Sequence, residues 1–162
     1  MALLPLLDTT PILRHVLNDH TDHTDHSPGA HALMRRIENG DLRVQTTDTM
    51  LFEAVYTLQT HYRATRTDIR DSLLEILRLP NVVLPGKAHY ERVFELWLQH
   101  RPLSFADCYH AAMVERGAAS AIISFDRGFD RLATVTRIEP QASAAYFRAR
   151  YTSVRTRLSR SA

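Results

Sequence analysis

Hydrophobic positions along the chain fall into short runs of strand length separated by longer stretches of helical period, the pattern of an α/β fold built on a parallel sheet. The first run, Leu3 to Leu7, ends at Asp8. Pro5 cannot donate a ladder hydrogen bond, so the paired part of this strand is expected at or just after it. Thr10-Pro11 has the form of a helix N-cap followed by proline at the first helical position. A second helix is expected from Ser27-Pro28 to the stop signal Asn39-Gly40, and Val44 opens a brief second strand.

Leu51, Val55, Leu58 and Tyr62 recur at helical spacing, and Ile69, Leu73, Ile76 and Leu77 continue in a further helix closed by Leu79-Pro80. Asn81 to Leu84 makes a third short strand. Tyr90, Val93, Phe94, Trp97 and Leu98 form one apolar helical stripe, which assigns Trp97 to packing. Ser104 begins a helix ending near Gly117. Ala121 to Ser124 has the composition of a buried fourth strand, and Thr134 to Thr136 of a weak fifth. Beyond Pro140, the residues Phe147, Tyr151, Val154 and Leu158 share one face with arginines on the others, which predicts a C-terminal amphipathic helix.

This divides the chain into a body, residues 1–140, and a basic helical extension, residues 141–162. With 162 residues and 44% hydrophobic content there is enough apolar surface for one domain with a real core. The uncharged stretches fall short of the ~20 apolar residues of a membrane span, and no basic region precedes the first apolar run, so the expectation is a cytoplasmic protein without a membrane role. Cys108 is the only cysteine; it allows no internal disulfide and leaves metal binding to oxygen and nitrogen ligands.

Charge is unevenly spread. Arg148, Arg150, Arg155, Arg157 and Arg160 lie in the extension with no acid; removing them from the total of 20 Lys and Arg leaves 15 against 18 Asp and Glu, a body of net −3. A modestly acidic body suits cation binding, and a cationic tail is one place for a phosphate backbone to dock. Between the first two helices, Thr21-Asp22-His23 is repeated at once as Thr24-Asp25-His26. This polar triplet duplication is a solvated loop before it is a metal site.

Four acids stand out by position. Asp8 closes the first strand, Asp126 follows the fourth, Asp107 lies in the first turn of a helix, and Glu53 sits within the apolar run Met50 to Val55. Ligands of open α/β sheets gather outside the carboxyl ends of strands, which places Asp8 and Asp126 well. Carboxylates converging there would repel one another unless a cation neutralised them, and an oxygen-rich site favours Mg²⁺ or Mn²⁺. Each acid also has a purely structural explanation. Asp8 can cap the next helix, Ser104-Phe105-Ala106-Asp107 has the form of a capping box, Asp126 can make an Asx-turn, and Glu53 can simply face solvent.

Leu6-Leu7-Asp8-Thr9, Thr46-Thr47-Asp48-Thr49 leading into Phe52-Glu53-Ala54, Leu103-Ser104-Phe105-Ala106-Asp107-Cys108-Tyr109-His110-Ala111-Ala112, and Ile122-Ile123-Ser124-Phe125-Asp126-Arg127-Gly128-Phe129-Asp130 resemble, in order and spacing, the sequence blocks of PIN-domain proteins, particularly VapC-like toxins of type II toxin–antitoxin systems. The resemblance covers residues 3–139 and is most specific around Asp107. It implies a PIN-like fold, a short parallel sheet of four or five strands flanked by helices, with the acids converging at one edge of the strand tips. It further implies Asp8 and Asp107 as primary metal ligands, Glu53 completing the pocket directly or through water, Asp126 as the fourth acid, and Ser124 as a water-orienting hydroxyl. Relatives often carry another acid where this chain has Gly128, so either Asp130 compensates or the outer side of the pocket is weaker.

The function implied is Mg²⁺- or Mn²⁺-dependent hydrolysis of RNA by activated water, in the toxin half of a toxin–antitoxin pair, with a cognate antitoxin and a homodimer as expected partners. Cys108 beside a carboxylate is a poor nucleophile, and His110 is as well explained by packing or the surface. Three alternatives stay open. One is a catalytically silent PIN-like module that binds protein or RNA, which would tolerate EDTA; another is a DNA nuclease using the same acids. The third, an aspartyl phosphotransferase on Asp8, is disfavoured because Thr10 stands where a second Asp is wanted.

Overall fold

A computed structural model describes residues 3–17, 27–146 and 148. The chain forms a mixed α/β structure with short parallel strands, divided into two compact units, Met1–Gln99 and His100–Ala162.

In the first unit, α1 (Thr9–Val16) starts earlier than Thr10-Pro11 suggests, because Asp8 is the N-cap and its side chain accepts from the Thr10 N–H. Pro11 fits inside the first turn, where backbone N–H groups have no intrahelical acceptor to lose. It is followed by α2 (Ser27–Glu38), β1 (Val44–Gln45), α3 (Asp48–Thr60), α4 (Arg66–Arg78), β2 (Val82–Val83) and α5 (His89–Gln99). Thr47 caps α3 through the Met50 N–H, and Thr65 caps α4 through the Asp68 N–H. Leu51, Ala54, Val55 and Leu58 form the buried stripe of α3. Ile69, Leu73, Leu74, Ile76 and Leu77 do the same for α4, and α1 packs on α2 and α3 while α4 packs on α3 and α5. Each such aliphatic side chain contributes about 1.5–3 kcal/mol when taken fully out of water.

Trp97 is wholly buried, as its stripe predicts, with Tyr90, Val93 and Phe94; Leu96 joins them and Leu98 is only half-buried. The Arg66 guanidinium lies 4.7 Å from the centroid of the Trp97 ring.

The strands are shorter than the sequence pattern suggests. β1 and β2 pair in parallel with Val44 opposite Val82 and Gln45 opposite Val83. The expected first strand, Leu3 to Leu7, contributes a single parallel bridge, Leu6 to Gln45. Gln45 N–H donates to the Pro5 carbonyl at 2.9 Å and Leu7 N–H to the Gln45 carbonyl at 2.7 Å, so Pro5 takes part through the one backbone group it still has.

The second unit holds α6 (Phe105–Glu115), β3 (Ile122–Ile123), a 3₁₀ turn over Arg127–Arg131, β4 (Arg137–Ile138) and a 3₁₀ turn over Pro140–Ala142. β3 and β4 are parallel, with Ile122 opposite Arg137 and Ile123 opposite Ile138. Among the described residues the strands form two parallel pairs, β1–β2 in the first unit and β3–β4 in the second. The fourth strand is not buried as expected, since Ile123 is exposed. The fifth strand lies beyond Thr134–Thr136, because the Thr136 and Ile138 carbonyls are the groups that accept from Ile122 and Ser124.

Residues 143–146 and 148 are helical. The amphipathic face expected from Phe147, Tyr151, Val154 and Leu158, and the duplicated triplet at 21–26, lie outside the described residues. No helix among the described residues is long and apolar enough to cross a membrane.

Candidate active site

Within the first unit, the end of the Leu3–Leu7 segment and the middle of α3 are tied together by one side chain. Thr9, 3% exposed, donates its hydroxyl to Glu53 Oε2 at 2.9 Å. Its neighbour Asp8 is exposed and uses Oδ2 to accept from the Thr10 N–H at 3.3 Å. The Thr46 hydroxyl contacts the Leu7 carbonyl at 3.4 Å, which fixes the backbone just before Asp8. Thr9 had no role in the sequence reading, although it stands inside one of the blocks that carry the resemblance.

Within the second unit, Asp107 and Ser104 form a full capping box. Asp107 Oδ2 accepts from the Ser104 N–H at 2.9 Å and from the Ser104 hydroxyl at 2.6 Å, while the Asp107 N–H donates back to Ser104 Oγ at 3.1 Å. Asp126 caps the 3₁₀ turn, accepting the Gly128 N–H on Oδ1 at 2.7 Å, and donates its own N–H to Ser124 Oγ at 3.0 Å. The Ser124 hydroxyl proton is left uncommitted among the described residues.

The structural role foreseen for Asp8, Asp107 and Asp126 is real in each case, and Glu53 is exposed as well as tethered. In all four acids, however, these bonds engage one carboxylate oxygen, and the second accepts no hydrogen bond among the described residues. Tethering one oxygen orients the other, which is how hydrogen-bonded carboxylates are prepared as ligands. Among the described residues no group of three or more His, Cys, Asp or Glu side chains is placed to hold a metal ion.

Gly128 has a steric explanation. A Cβ there would stand 2.9 Å from Leu103 Cδ2 and 3.0 Å from Asp126 Oδ1, so any side chain at this position would press on a buried leucine and on the candidate ligand itself. Asp130 is engaged in an ion pair. Both its oxygens are held by Arg137, Nε to Oδ1 at 2.7 Å and Nη2 to Oδ2 at 3.0 Å. That guanidinium holds the Asp130 carboxyl below the usual carboxylate range. Arg137 also donates to Glu139 and to the Ser124 carbonyl at 2.9 Å, bracing the chain two residues before Asp126; its own proton affinity is raised by Asp130 first and Glu139 second. Nothing in the strand pattern pointed to Arg137, because a charge inside a strand normally argues against burial.

A family model for the PIN domain matches residues 6–135, well over half of the chain. The chain belongs to the PIN domain family. PIN domains are generally nucleases, hydrolases that typically use divalent metal ions, and the match spans all four acids. No curated protein matches the chain. The donor chemistry suits such an ion, since carboxylates offer the hard oxygens that Mg²⁺ and Mn²⁺ prefer, although no three of the described acids are placed together to hold one.

Proposed function

We propose that this PIN domain is a Mg²⁺- or Mn²⁺-dependent endoribonuclease and the toxin of a toxin–antitoxin pair of the VapC-like kind, acting in the cytoplasm. The observation that carries the proposal is the PIN-domain match over residues 6–135, which spans Asp8, Glu53, Asp107 and Asp126, each with one carboxylate oxygen that accepts no hydrogen bond among the described residues. In this reading Asp8 and Asp107 are the primary ligands, Glu53 binds directly or through water, and Asp126 is the fourth acid.

When bound, the cation supplies a polarised phosphoryl oxygen and a water of lowered pKa. The protein's own part is positional. Thr9 and Ser104 hold Glu53 and Asp107 in fixed rotamers, so little reorganisation remains when the substrate arrives. The Ser124 hydroxyl, with its oxygen already accepting from Asp126, has its proton available for a water or a phosphate oxygen. A cognate antitoxin that offers a cationic side chain to these carboxylates, and a homodimer of the toxin, complete the proposal.

The test is incubation of the full chain with total RNA, transfer RNA and single-stranded DNA, with Mg²⁺, with Mn²⁺ and with EDTA. Cleavage of RNA that needs the ion and is lost in Asp8→Asn and Asp107→Asn, both still folded by circular dichroism, is the expected result. Cutting unaffected by Asp107→Asn removes that residue from the site, and cutting of DNA alone replaces the ribonuclease with a deoxyribonuclease.

A further inference from the structure

α1 begins at the candidate site and ends at a pair of histidines that the site does not use. Asp8 caps the helix, Thr9 is its first residue, and His15 stands in its last turn. At 1.5 Å rise per residue, Thr9 and His15 are about 9 Å apart along the axis. α1 packs on α2 and α3, and on the α2 side the His15 and His31 rings meet edge-on, with centroids 5.5 Å apart at an interplanar angle of 62°. Both residues are half-buried. His15 Nδ1 is buried and finds no hydrogen-bond partner among the described residues.

This contact tolerates a neutral imidazole better than a charged one. Protonation puts an N–H on both ring nitrogens, and at Nδ1 that donor would belong to a charged group with nothing to bond, a more costly orphan than a neutral one. A proton on His31 as well would set two like charges against each other across rings in contact. Burial lowers the His15 pKa first and the His31 charge second; Glu38 of α2 and Glu75 of α4 oppose them without reversing the direction. The other charged side chains of the three packed helices are Arg14 of α1, Arg35 and Arg36 of α2, and Asp48 and Glu53 of α3, and none of them is among the causes of the shift. A folded pKa below the unfolded one means that falling pH favours the opened form.

We propose that the His15–His31 contact is an acid-sensitive latch: when protonated it parts the end of α1 from α2, and so loosens Asp8 and Thr9 at the start of the same short helix. With 8 residues, α1 has about two turns, and a helix of that length holds its shape through packing rather than by itself. The Thr9 bond to Glu53 depends on α1 staying seated, so opening the latch withdraws the support of that carboxylate. The consequence for catalysis rests on the nuclease reading; the latch itself does not.

The test is amide hydrogen exchange of the full chain at pH 7.5 and 5.5 in EDTA, read by mass spectrometry and corrected for the intrinsic exchange rate at each pH, with RNA cleavage in Mg²⁺ measured alongside. An ordinary imidazole of pKa 6.5 is protonated about ten to one at pH 5.5, which sets the ceiling for the His15 contribution. Opening of α1 is expected to rise between about threefold and tenfold at the lower pH, while α4 and α5 stay within about twofold and Trp97 emission is unchanged. His15→Gln and His31→Gln, which cannot take up the proton, should each flatten the α1 response; the second serves if the first does not fold. Equal opening of α1 at both pH values in wild type overturns the latch, as does a response that survives in the folded glutamine variants. A Trp97 emission change in step with α1 means that the whole unit melts, and the latch falls with that result too. If α1 opens as expected and wild type cuts no RNA, the latch stands and the nuclease reading fails alone.

Discussion

Thr9 Oγ1 and Glu53 Oε2 are joined at 2.9 Å across 44 positions of sequence. The donor is buried and the acceptor exposed, so the bond fixes a surface carboxylate from beneath. Thr9→Val keeps the shape and removes the donor. It is expected to lower stability by about 1.5–3 kcal/mol in urea denaturation, the range for a lost hydrogen bond to a charged group. Metal-dependent RNA cleavage should fall about 10–100-fold, as when a ligand loses its outer support. Cleavage that stays at the wild-type rate would detach Thr9 from the chemistry.

Gly128→Asp tests whether the missing acid is a gap or a requirement. The clash with Leu103 and Asp126 predicts lower stability, about 1–3 kcal/mol as for an overpacked site, and weaker rather than stronger metal-dependent activity. Leu103→Ala opens space on one side, so the double variant Gly128→Asp/Leu103→Ala should lose less stability than the two single changes added together. Strict additivity in a double-mutant cycle would show that the contact is not what matters.

Arg137→Lys keeps one charge and loses the fork that spans Asp130, Glu139 and the Ser124 carbonyl. The Arg137 side chain is only 9% exposed, so the vacancy is not simply filled by solvent. The expected outcome is a lower thermal midpoint that depends less on salt than in the wild type, with reduced cleavage because the chain before Asp126 is less well held. An unchanged midpoint would mark Arg137 as a surface residue without consequence.

His15 gives the first unit a pH dependence. Burial lowers its pKa from the ordinary 6.5, the His31 charge lowers it further, and Glu38 and Glu75 oppose both. The His31 ring lies edge-on at 5.5 Å. With the folded value below the unfolded one, the unfolded chain takes up the proton more readily. This contribution to stability is therefore complete above pH 6.5 and is lost as pH falls through the folded value. Urea midpoints at pH 7.5 and 5.5, the second lower in wild type and the gap smaller in His15→Gln, are the expected result; an equal gap would place the effect elsewhere.

Much of this was legible in the residues, for identifiable reasons. The Ser104–Asp107 capping box and the burial of Trp97 follow from contacts three or four residues apart, and local spacing records such contacts faithfully. Thr10-Pro11 misled by one short step because Asp8, a stronger acceptor, took the cap and proline is harmless in a first turn. The strands were overestimated because an apolar run shows what is buried, not which backbone groups find partners; Leu3 to Leu7 pairs at Leu6 alone. Arg137 and Thr9 escaped notice because their partners are remote or of the wrong polarity for their element. The steric setting of Gly128 escaped notice because the leucine its Cβ would meet is remote in sequence.

Trp97 is the chain's only tryptophan, sealed in the first unit with Phe94 6.2 Å away and a guanidinium across its face. Its ultraviolet emission is therefore an intrinsic optical gauge for the α3–α5 core, dim to events at the surface and sharply altered when that core opens. The Thr9 and His15 measurements need no dye or label, because the protein carries its own lamp where those two substitutions should be felt.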